Sequence, residues 1–320
     1  MTRAPEIAVV IPTADREHRL AFALEALAAQ TLERERFEVI VARARGAGGP
    51  FARAPEGLRI RWLKAGGGPA TRRNLGWRVT ASPLVAFTDD DCRPAPEWLA
   101  TLRDAAASHP GAILQGRTEP DPDERHLLAG LARSIEVTAP SPWFETCNIA
   151  YPRALLESVG GFDENLDECW GEDTDLGLRA RARGAERVYE QRALAWHAVV
   201  SRPLPVAVAQ ARRRRWLAPL VARHPELRSE LRWRVAANET HLTLPLMCAG
   251  LLAARRRPAL GAALSAPFLL PAAIAHFRQA PRSPRSLARF VAHLPAATLV
   301  GIAEVAATVR GAIQARTPLV

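Results

Sequence analysis

Short apolar runs alternate with longer amphipathic segments through the first part of the chain. Each apolar run has the length of a buried strand, and the segment over residues 17–30 places Leu20, Leu24 and Leu27 on one helical face. A Gly-rich turn before Pro69 predicts the start of a second helix. The predicted strands cover residues 6–12, 37–42, 58–63 and 84–88.

Strands that alternate with helices in this way predict an α/β fold, with a Rossmann-like, doubly wound and mostly parallel sheet. In such sheets, ligands bind beside the carboxyl ends of the strands. We therefore expect functional side chains in the loops that follow Pro12, Ala42 and Thr88.

The next part of the chain has a less regular pattern. A strand is predicted over 144–151, followed by a short helix that ends at Gly160. The segment 170–184 begins with acidic residues and continues with arginines, which suits the dipole of a helix. A last strand is predicted to end at His197.

The chain changes character near Pro203. Two basic segments, 211–216 and 224–234, are predicted to be amphipathic helices. Three apolar stretches follow, of which the last two reach the roughly 20 residues that a membrane span needs. We therefore predict two domains, residues 1–202 and residues 203–320. The apolar stretches cover 242–254, 258–277 and 290–309.

Charge is divided unevenly along the chain. The 320 residues carry +10 overall, yet residues 1–200 have 25 basic and 29 acidic side chains, whereas residues 201–320 have 18 and 4. A hydrophobic share of 48% excludes a disordered chain. The arginines at 212–215 have no interleaved aromatic residues for base stacking, so we expect no nucleic-acid partner. The neighbouring apolar stretches instead predict contact with an anionic membrane surface.

The four cysteines lack the spacing of a metal site or of a disulfide framework, so we expect free thiols in a reducing compartment. The apolar run before Asp15 is far too short for a signal peptide, and the first 200 residues are expected to stay in the cytosol. The cysteines are Cys92, Cys147, Cys169 and Cys248.

Three adjacent carboxylates, Asp89, Asp90 and Asp91, directly follow the predicted strand 84–88. Because adjacent carboxylates repel one another, their position at the end of a strand predicts a cation, and hard oxygen ligands suit Mg²⁺ or Mn²⁺. Such an ion commonly holds a nucleotide diphosphate. The alternative is a solvated acidic turn that caps a helix beginning near Pro96.

Two further positions are candidates for chemistry. Glu172 and Asp173 stand at a predicted helix start, where a carboxylate is stabilised as the anion and is available to accept a proton. The alternative is an ordinary acidic pattern at the start of a helix. His197 is either an ordinary buried or surface histidine or a neutral imidazole that completes a carboxylate site for a metal.

Six motifs, in this order, resemble the family 2 glycosyltransferases over roughly residues 6–200. The resemblance implies a GT-A fold, which here is followed by a C-terminal α-helical membrane-associated region. The motifs are VVIPTADR at 9–16, RRNLG at 72–76, FTDDDCRPAPEWL at 87–99, NIAYPRALLESVGGFDE at 148–164, WGEDTDLGLR at 170–179, and His197.

The resemblance also implies roles for individual residues. Asp173 is implied to be the catalytic base, with Glu172 beside it, and Trp170 and Asn148 to line the acceptor site. The implied ligands of Mn²⁺ or Mg²⁺ are Asp91, His197 and Asp89. The residues implied to bind a nucleotide-sugar donor are Thr13, Asp15, Arg16, Arg73, Asn74, Asp89 and Asp90.

The implied reaction is an inverting transfer of a sugar from a nucleotide diphosphate to the hydroxyl of a glycan or lipid-linked acceptor. A nucleotidyltransferase and a non-catalytic membrane scaffold are the alternatives. One departure from the family concerns residues 42–49, where ARARGAGG replaces an acidic turn that contacts the nucleobase. The base contact is therefore expected to be missing or replaced.

The implied setting is the cytoplasmic face of the cell membrane, where the enzyme would build a cell-envelope glycan or glycolipid. Arginine clusters flank the apolar stretches on both sides, at 255–257 and within 278–289. A hairpin that crosses the membrane would carry one of these clusters outside, against the positive-inside rule. We therefore predict monotopic or re-entrant attachment.

Overall fold

The chain forms two compact units, which we describe separately. The first unit contains Met1–Arg125 and Ser134–Val199, and the second contains His126–Arg133 and Val200–Val320. The division into functional domains at residue 202 stays a prediction. The structure, a computed structural model, describes residues 4–14, 16–46, 54–128, 130–166, 171–236, 239–279 and 283–319.

An eight-stranded sheet forms the centre of the first unit. Its order is β3-β2-β1-β4-β7-β6-β8-β5, and the predicted α/β architecture is confirmed. The strands are β1 (Ile7–Thr13), β2 (Phe37–Ala44), β3 (Ile60–Ala65), β4 (Leu84–Thr88), β5 (Cys92–Pro94), β6 (Ile113–Pro120), β7 (Asn148–Pro152) and β8 (Arg187–His197).

The sheet is mixed rather than uniformly parallel. Strands β1 to β4 pair in parallel, as do β6 and β8, but β7 runs antiparallel to both of its neighbours and β5 runs antiparallel to β8. Strand order reverses at β1 and β4, and such a reversal opens a crevice at the carboxyl ends of the strands. Thr13 and Thr88 are the last residues of these two strands.

Apolar helical faces cover the sheet. The first helix buries Leu20, Leu24 and Leu27, as its sequence pattern predicts. These leucines join one core with β1 and β2 and with Trp98 and Leu99, and this core fixes the backbone from which the site residues project. The helices of the first unit are α1 (Glu17–Ala28), α2 (Pro69–Arg78), α3 (Trp98–Ser108), α4 (Arg153–Val159) and α5 (Glu172–Ala182).

The described residues of the second unit form mainly helices, joined by turns and irregular segments, with two isolated bridges, Arg133–Val200 and Arg232–Ala236. The segment 212–216 is a short 3₁₀ turn rather than an amphipathic α-helix. The α-helices of the second unit are α6 (Leu204–Ala211), α7 (Leu217–Arg223), α8 (Glu239–Ala254), α9 (Pro258–Gln279) and α10 (Pro284–Gln314).

The prediction of an amphipathic helix over residues 224–234 is wrong. Residues 225–230 form a 3₁₀ turn, and Trp233 and Arg234 then adopt φ values of 48° and 64°. This left-handed backbone interrupts a helix and turns the chain back, so that Arg232 bridges to Ala236. Trp233 is left 80% exposed by the turn.

The helices α8 and α9 pack closely against each other. A Cβ atom on Gly250 would lie 2.8 Å from the carbonyl oxygen of Gly261, so the absence of side chains here lets the backbones approach. Among the described helices, α10 alone has both the length and the hydropathy, 1.6 over its most apolar window, for a membrane span.

Gly76 sets the distance between α2 and the sheet, and α2 carries Arg73 and Asn74. A Cβ atom on Gly76 would lie 2.4 Å from Cγ1 of Val10, which is fully buried and has no room to move. We predict that Gly76→Ala lowers the free energy of unfolding by about 1–3 kcal/mol through overpacking. Urea denaturation measures this loss.

Gly66→Ala is the matched control, since a Cβ atom at Gly66 meets nothing within 4 Å. This variant should stay within about 0.5 kcal/mol of the wild type. Equal stability of the two variants would contradict the close contact between α2 and β1.

Candidate active site

The first element of the site is a buried hydrogen bond between two strand ends. Thr13, at the end of β1, donates from Oγ1 to Oδ2 of Asp90, just beyond β4, over 2.6 Å. Asp90 is fully buried, and burial raises its pKa to about 7 even though Arg16 opposes the shift. Asp90 therefore lies inside the loop, where it ties the two strand ends together.

Arg16 neutralises the outer side of this loop. Its guanidinium group lies 2.5 Å from Oδ1 of Asp90 and also contacts Oδ2 of Asp91. Burial by itself lowers the pKa of Arg16, but the nearby carboxylates outweigh it and the pKa is raised. The side chain is half exposed, at 48%, so this cation stands at the solvent side of the loop.

Pairing between β5 and β8 brings Asp91 and His197 together. Cys92 faces His197 in the antiparallel register, and the backbone N–H of Ala198 donates to the carbonyl of Asp91 over 2.9 Å. Nε2 of His197 consequently lies 3.7 Å from Oδ1 of Asp91. Two residues that are more than a hundred positions apart in the sequence thus share one buried corner.

The ring of His197 is oriented by its other nitrogen. Nδ1 lies 2.8 Å from the carbonyl oxygen of Ala198, which can only accept, so we assign the proton to Nδ1. In the neutral ring, Nε2 then presents a lone pair toward Asp91. A second-sphere carbonyl that fixes the tautomer is the usual support of a metal-binding histidine.

These donors fit a divalent metal ion. Ligand atoms of Asp91, Cys92 and His197 all lie within 4.8 Å of one another. The pKa of the Cys92 thiol is well above its usual value, because of its hydrogen bond with Cys147 and its burial. With the thiol protonated, the carboxylate and imidazole remain as donors, and these suit Mn²⁺ better than a thiolate-seeking metal.

Asp89 lies outside that group of candidate ligands in the described part of the chain, although its position implied a metal ligand. Its carboxylate is instead 2.8 Å from the guanidinium group of Arg73. Arg73 is buried and also lies 3.1 Å from Glu172, with its guanidinium carbon 5.7 Å from the ring centre of Phe162. Arg73 therefore joins the loop after β4 to the start of α5.

The pKa of Arg73 reflects this double pairing. Burial by itself lowers the pKa, but the charges of Asp89 and Glu172 outweigh it and raise the pKa above the usual arginine value. Arg73 is therefore a permanent cation inside the site.

Asp173 follows Glu172 in the first turn of α5. One of its carboxylate oxygens accepts a hydrogen bond from the backbone N–H of Thr174 over 2.8 Å. Removal from water raises the pKa of Asp173 well above the usual carboxyl range, and the charge of Glu172 adds to this, while Arg73 opposes it. A carboxylate with a raised pKa is a stronger proton acceptor than an exposed one.

The amides of Asn74 and Asn148 are both used inside the protein. Asn148 accepts from Nε1 of Trp98 and donates to the carbonyls of Arg117 and Ala193. These bonds use both the oxygen and the NH₂ group of the amide. We therefore interpret Asn148 as a residue that holds strands together and not as one that contacts the sugar acceptor.

Asn74 is engaged in the same way. It donates to the carbonyl of Phe162 and to Glu164, and accepts from the backbone N–H of Phe162 and from Trp77. Asn74 therefore supports the site by anchoring the loop after α4. Two other predicted site residues, Asp15 and Trp170, lie outside the described residues.

A cavity of about 160 Å³ adjoins Asp91 on the side of α1. Its walls include two ion pairs that the sequence analysis missed, Arg93 with Asp121 at 2.6 Å and Arg19 with Glu124. The acidic run that contains Asp121 and Glu124 was the available signal, but it has no fixed spacing from the other motifs.

The part of the chain that carries most of this site is similar to a known family. The model of glycosyl transferase family 2 matches residues 8–153. This part of the chain is therefore similar to the glycosyl transferases of family 2. Asp89, Asp91 and Arg73 lie within the matched range, whereas Asp173 and His197 lie beyond it.

The chain is also similar to curated enzymes. Validoxylamine A glucosyltransferases from Streptomyces hygroscopicus subsp. limoneus and from subsp. jinggangensis (strain 5008) are each 29% identical to it over 274 residues. These alignments cover 73% of this chain but only 60% and 64% of the relatives. The match thus spans less than two thirds of each relative's length.

A solved structure is similar over nearly the whole chain. The mannosyltransferase PcManGT from Pyrobaculum calidifontis, in complex with GDP-Man and Mn²⁺, superposes with a TM-score of 0.54 at 16% identity. The match covers 98% of this chain and 88% of that one. The predicted GT-A fold followed by C-terminal helices is confirmed, and the matches support the predicted glycosyltransferase class.

We predict that Arg73→Met lowers the free energy of unfolding by about 3–5 kcal/mol, because it leaves two carboxylates in the site without their cation. Chemical denaturation at neutral pH measures the loss. Arg73→Lys, which keeps the charge but not the fork of two N–H donors, should recover only part of it.

Arg78→Met, also on α2, is the control. Arg78 pairs with Glu164 where both side chains are about half exposed, at 50% and 41%. Arg78→Met should therefore lower the free energy of unfolding by less than about 1 kcal/mol. If Arg73→Met cost no more than this control, Arg73 would not be the link between the two acidic segments.

Proposed function

We propose that this chain is a metal-dependent, inverting glycosyltransferase that moves a sugar from a nucleotide diphosphate to an acceptor hydroxyl. The observation that carries the proposal is the position of Arg73 between Asp89 and Glu172. Arg73 connects the loop after β4, which suits a metal and a diphosphate, to the start of α5, which suits a base. The two parts therefore belong to one site. The family 2 match supports glycosyl transfer over the nucleotidyl transfer considered above.

Asp91 and His197 are the residues that would hold the metal, with Mn²⁺ or Mg²⁺ as the candidates. When bound, such an ion stabilises the negative charge that develops on the diphosphate as the glycosidic bond breaks. Arg16 and Arg73 supply fixed positive charge on either side of the same loop. Both are suited to contact phosphate oxygens of the donor.

Asp173 is proposed to be the base. It accepts the proton of the acceptor hydroxyl while that oxygen bonds to the anomeric carbon, and the nucleoside diphosphate leaves with the electrons of the broken bond. Attack on the face opposite the leaving group inverts the configuration at the anomeric carbon. The raised pKa of Asp173 and its position beside Glu172 support this role.

The residues at the end of β2 bear on how the donor's nucleobase is recognised. Arg43, which pairs with Thr13 of β1 in the strand register, is buried and forms an ion pair with Glu17 at 2.7 Å. A basic side chain thus lies where the family carries an acidic turn. This supports a donor whose nucleobase is recognised by contacts other than that acidic turn.

The second unit is proposed to attach the enzyme to the cytoplasmic face of the cell membrane, where it would act in cell-envelope glycan or glycolipid synthesis. Of the sixteen large apolar side chains described as exposed, fifteen belong to this unit and only Phe22 to the first. An apolar surface of this extent, together with the basic excess, suits an anionic membrane. We propose monotopic or re-entrant attachment.

We predict that Asp173→Asn keeps donor binding and abolishes turnover, because only the proton acceptor is removed. Calorimetry of a panel of nucleotide sugars with Mn²⁺ finds the donor, and a transfer assay with that donor measures turnover. When the pH is lowered, the transfer rate of the wild type should fall with an apparent pKa above that of an ordinary Asp, because protonation of Asp173 disables the base.

Asp163→Asn is the control, since Asp163 lies in the turn after α4, where its carboxylate accepts hydrogen bonds from the backbone N–H and the side-chain amide of Asn165. Retained turnover in Asp173→Asn would refute the proposed base. Absence of binding to every nucleotide sugar would favour the scaffold alternative.

A further inference from the structure

A second cavity, of about 270 Å³, lies within the second unit between the turn 212–216 and α10. Its lining combines basic side chains with small apolar ones, and none of its described lining residues is acidic. We call it the arginine pocket. Its residues are Arg212, Arg215, Arg310, Ala303, Ala306 and Ala307.

Close backbone packing holds this pocket together. A Cβ atom on Gly311 would lie 2.0 Å from the carbonyl oxygen of Arg215, so the turn rests directly on α10 at this glycine. Ala307 and Ala303 precede Gly311 at intervals of four residues and therefore share its helical face. The arginines of the turn and Arg310 of the helix consequently project from two elements at a fixed separation.

The arginines of the pocket have no anionic partner among the described ion pairs. Neither Arg212, Arg215 nor Arg310 forms a salt bridge with a described acid. The guanidinium group of Arg215 lies over the ring of Trp216, with 4.9 Å to the ring centre, and this contact orients it. Three cations around one small cavity repel one another until an anion binds between them.

The number and kind of these groups indicate the anion. Guanidinium groups bind phosphate oxygens through paired hydrogen bonds, and three of them can contact the three terminal oxygens of a phosphate monoester and neutralise its double charge. A phosphodiester carries a single charge and has fewer free oxygens. The alanine floor excludes water from one side, which strengthens the electrostatic attraction.

The surface beside the pocket indicates that the phosphate belongs to a lipid. Ile302, Val309 and Ile313 are exposed, and they lie about 100° round α10 from the pocket residues. An acyl chain attached to a phosphate in the pocket would lie along this apolar face. A free phosphate ion would leave the face uncovered.

We propose that the arginine pocket binds the phosphate monoester headgroup of a membrane lipid. The pocket gives the second unit a preference for one headgroup chemistry, beyond a general attraction to negative charge. This inference rests on the proposed membrane attachment and is independent of the proposed glycosyl transfer.

Vesicle flotation of the full chain tests the proposal. Vesicles of phosphatidylcholine with phosphatidic acid are compared with vesicles of phosphatidylcholine with phosphatidylserine at equal surface charge. The wild type should bind the phosphatidic acid vesicles at least about fivefold more tightly. The triple variant Arg212→Gln, Arg215→Gln, Arg310→Gln should lose this preference.

Two further variants separate the pocket from net charge. The triple variant Arg255→Gln, Arg256→Gln, Arg257→Gln removes the same charge between α8 and α9, and it should keep the preference. Gly311→Ala keeps every arginine but pushes the turn away from α10, and it should reduce the preference. Circular dichroism confirms that each variant is folded. Equal loss in both triple variants, or a preference retained in the pocket variant, would overturn the proposal.

Calorimetry with soluble ligands distinguishes the remaining outcomes. Short-chain phosphatidic acid should bind more tightly than inorganic phosphate, and equal affinities would overturn the lipid source. If the wild type binds no vesicles but binds short-chain phosphatidic acid through the pocket arginines, the proposed membrane attachment is contradicted. The proposed phosphate site in the pocket is then supported. Failure to bind phosphatidic acid in either form would overturn the pocket itself.

Discussion

The candidate active site depends on two arginines that neutralise a group of five acidic residues. Without a cation, carboxylates this close to one another and this removed from water cannot all remain ionised. Arg16 covers the outer side of the loop after β4, and Arg73 lies between that loop and α5. The acidic residues are Asp89, Asp90, Asp91, Glu172 and Asp173.

The sheet determines which of these charges face each other. Parallel β1 and β4 place Thr13 against Asp90, while antiparallel β5 and β8 place Asp91 against His197. The first pair is fully buried and ties two strand ends together, whereas the second leaves a carboxylate oxygen and an imidazole nitrogen facing the same point. One loop of three aspartates thus ties two strand ends together and is also proposed to hold a metal ion.

Strand ends and acidic motifs were predictable because they leave local signals, namely an apolar run followed directly by carboxylates. The pairing of β5 with β8 was not, since three residues are too few to show a strand pattern. The same holds for Arg73, whose partners Asp89 and Glu172 lie 16 and 99 residues away. Asn148 stands in a family motif, but only its buried contacts reveal that its amide is used internally.

We propose that Asp91 binds Mn²⁺ in the loop after β4 and that its ion pair with Arg16 competes with this binding. Calorimetric titration of Mn²⁺ into wild type and Arg16→Gln, without nucleotide, tests it most directly. Arg19→Gln removes the same charge one turn along α1 and is the control. We expect several-fold tighter Mn²⁺ binding for Arg16→Gln than for the wild type or Arg19→Gln, because the competing ion pair with Asp91 is gone. Unchanged or weaker binding would contradict it.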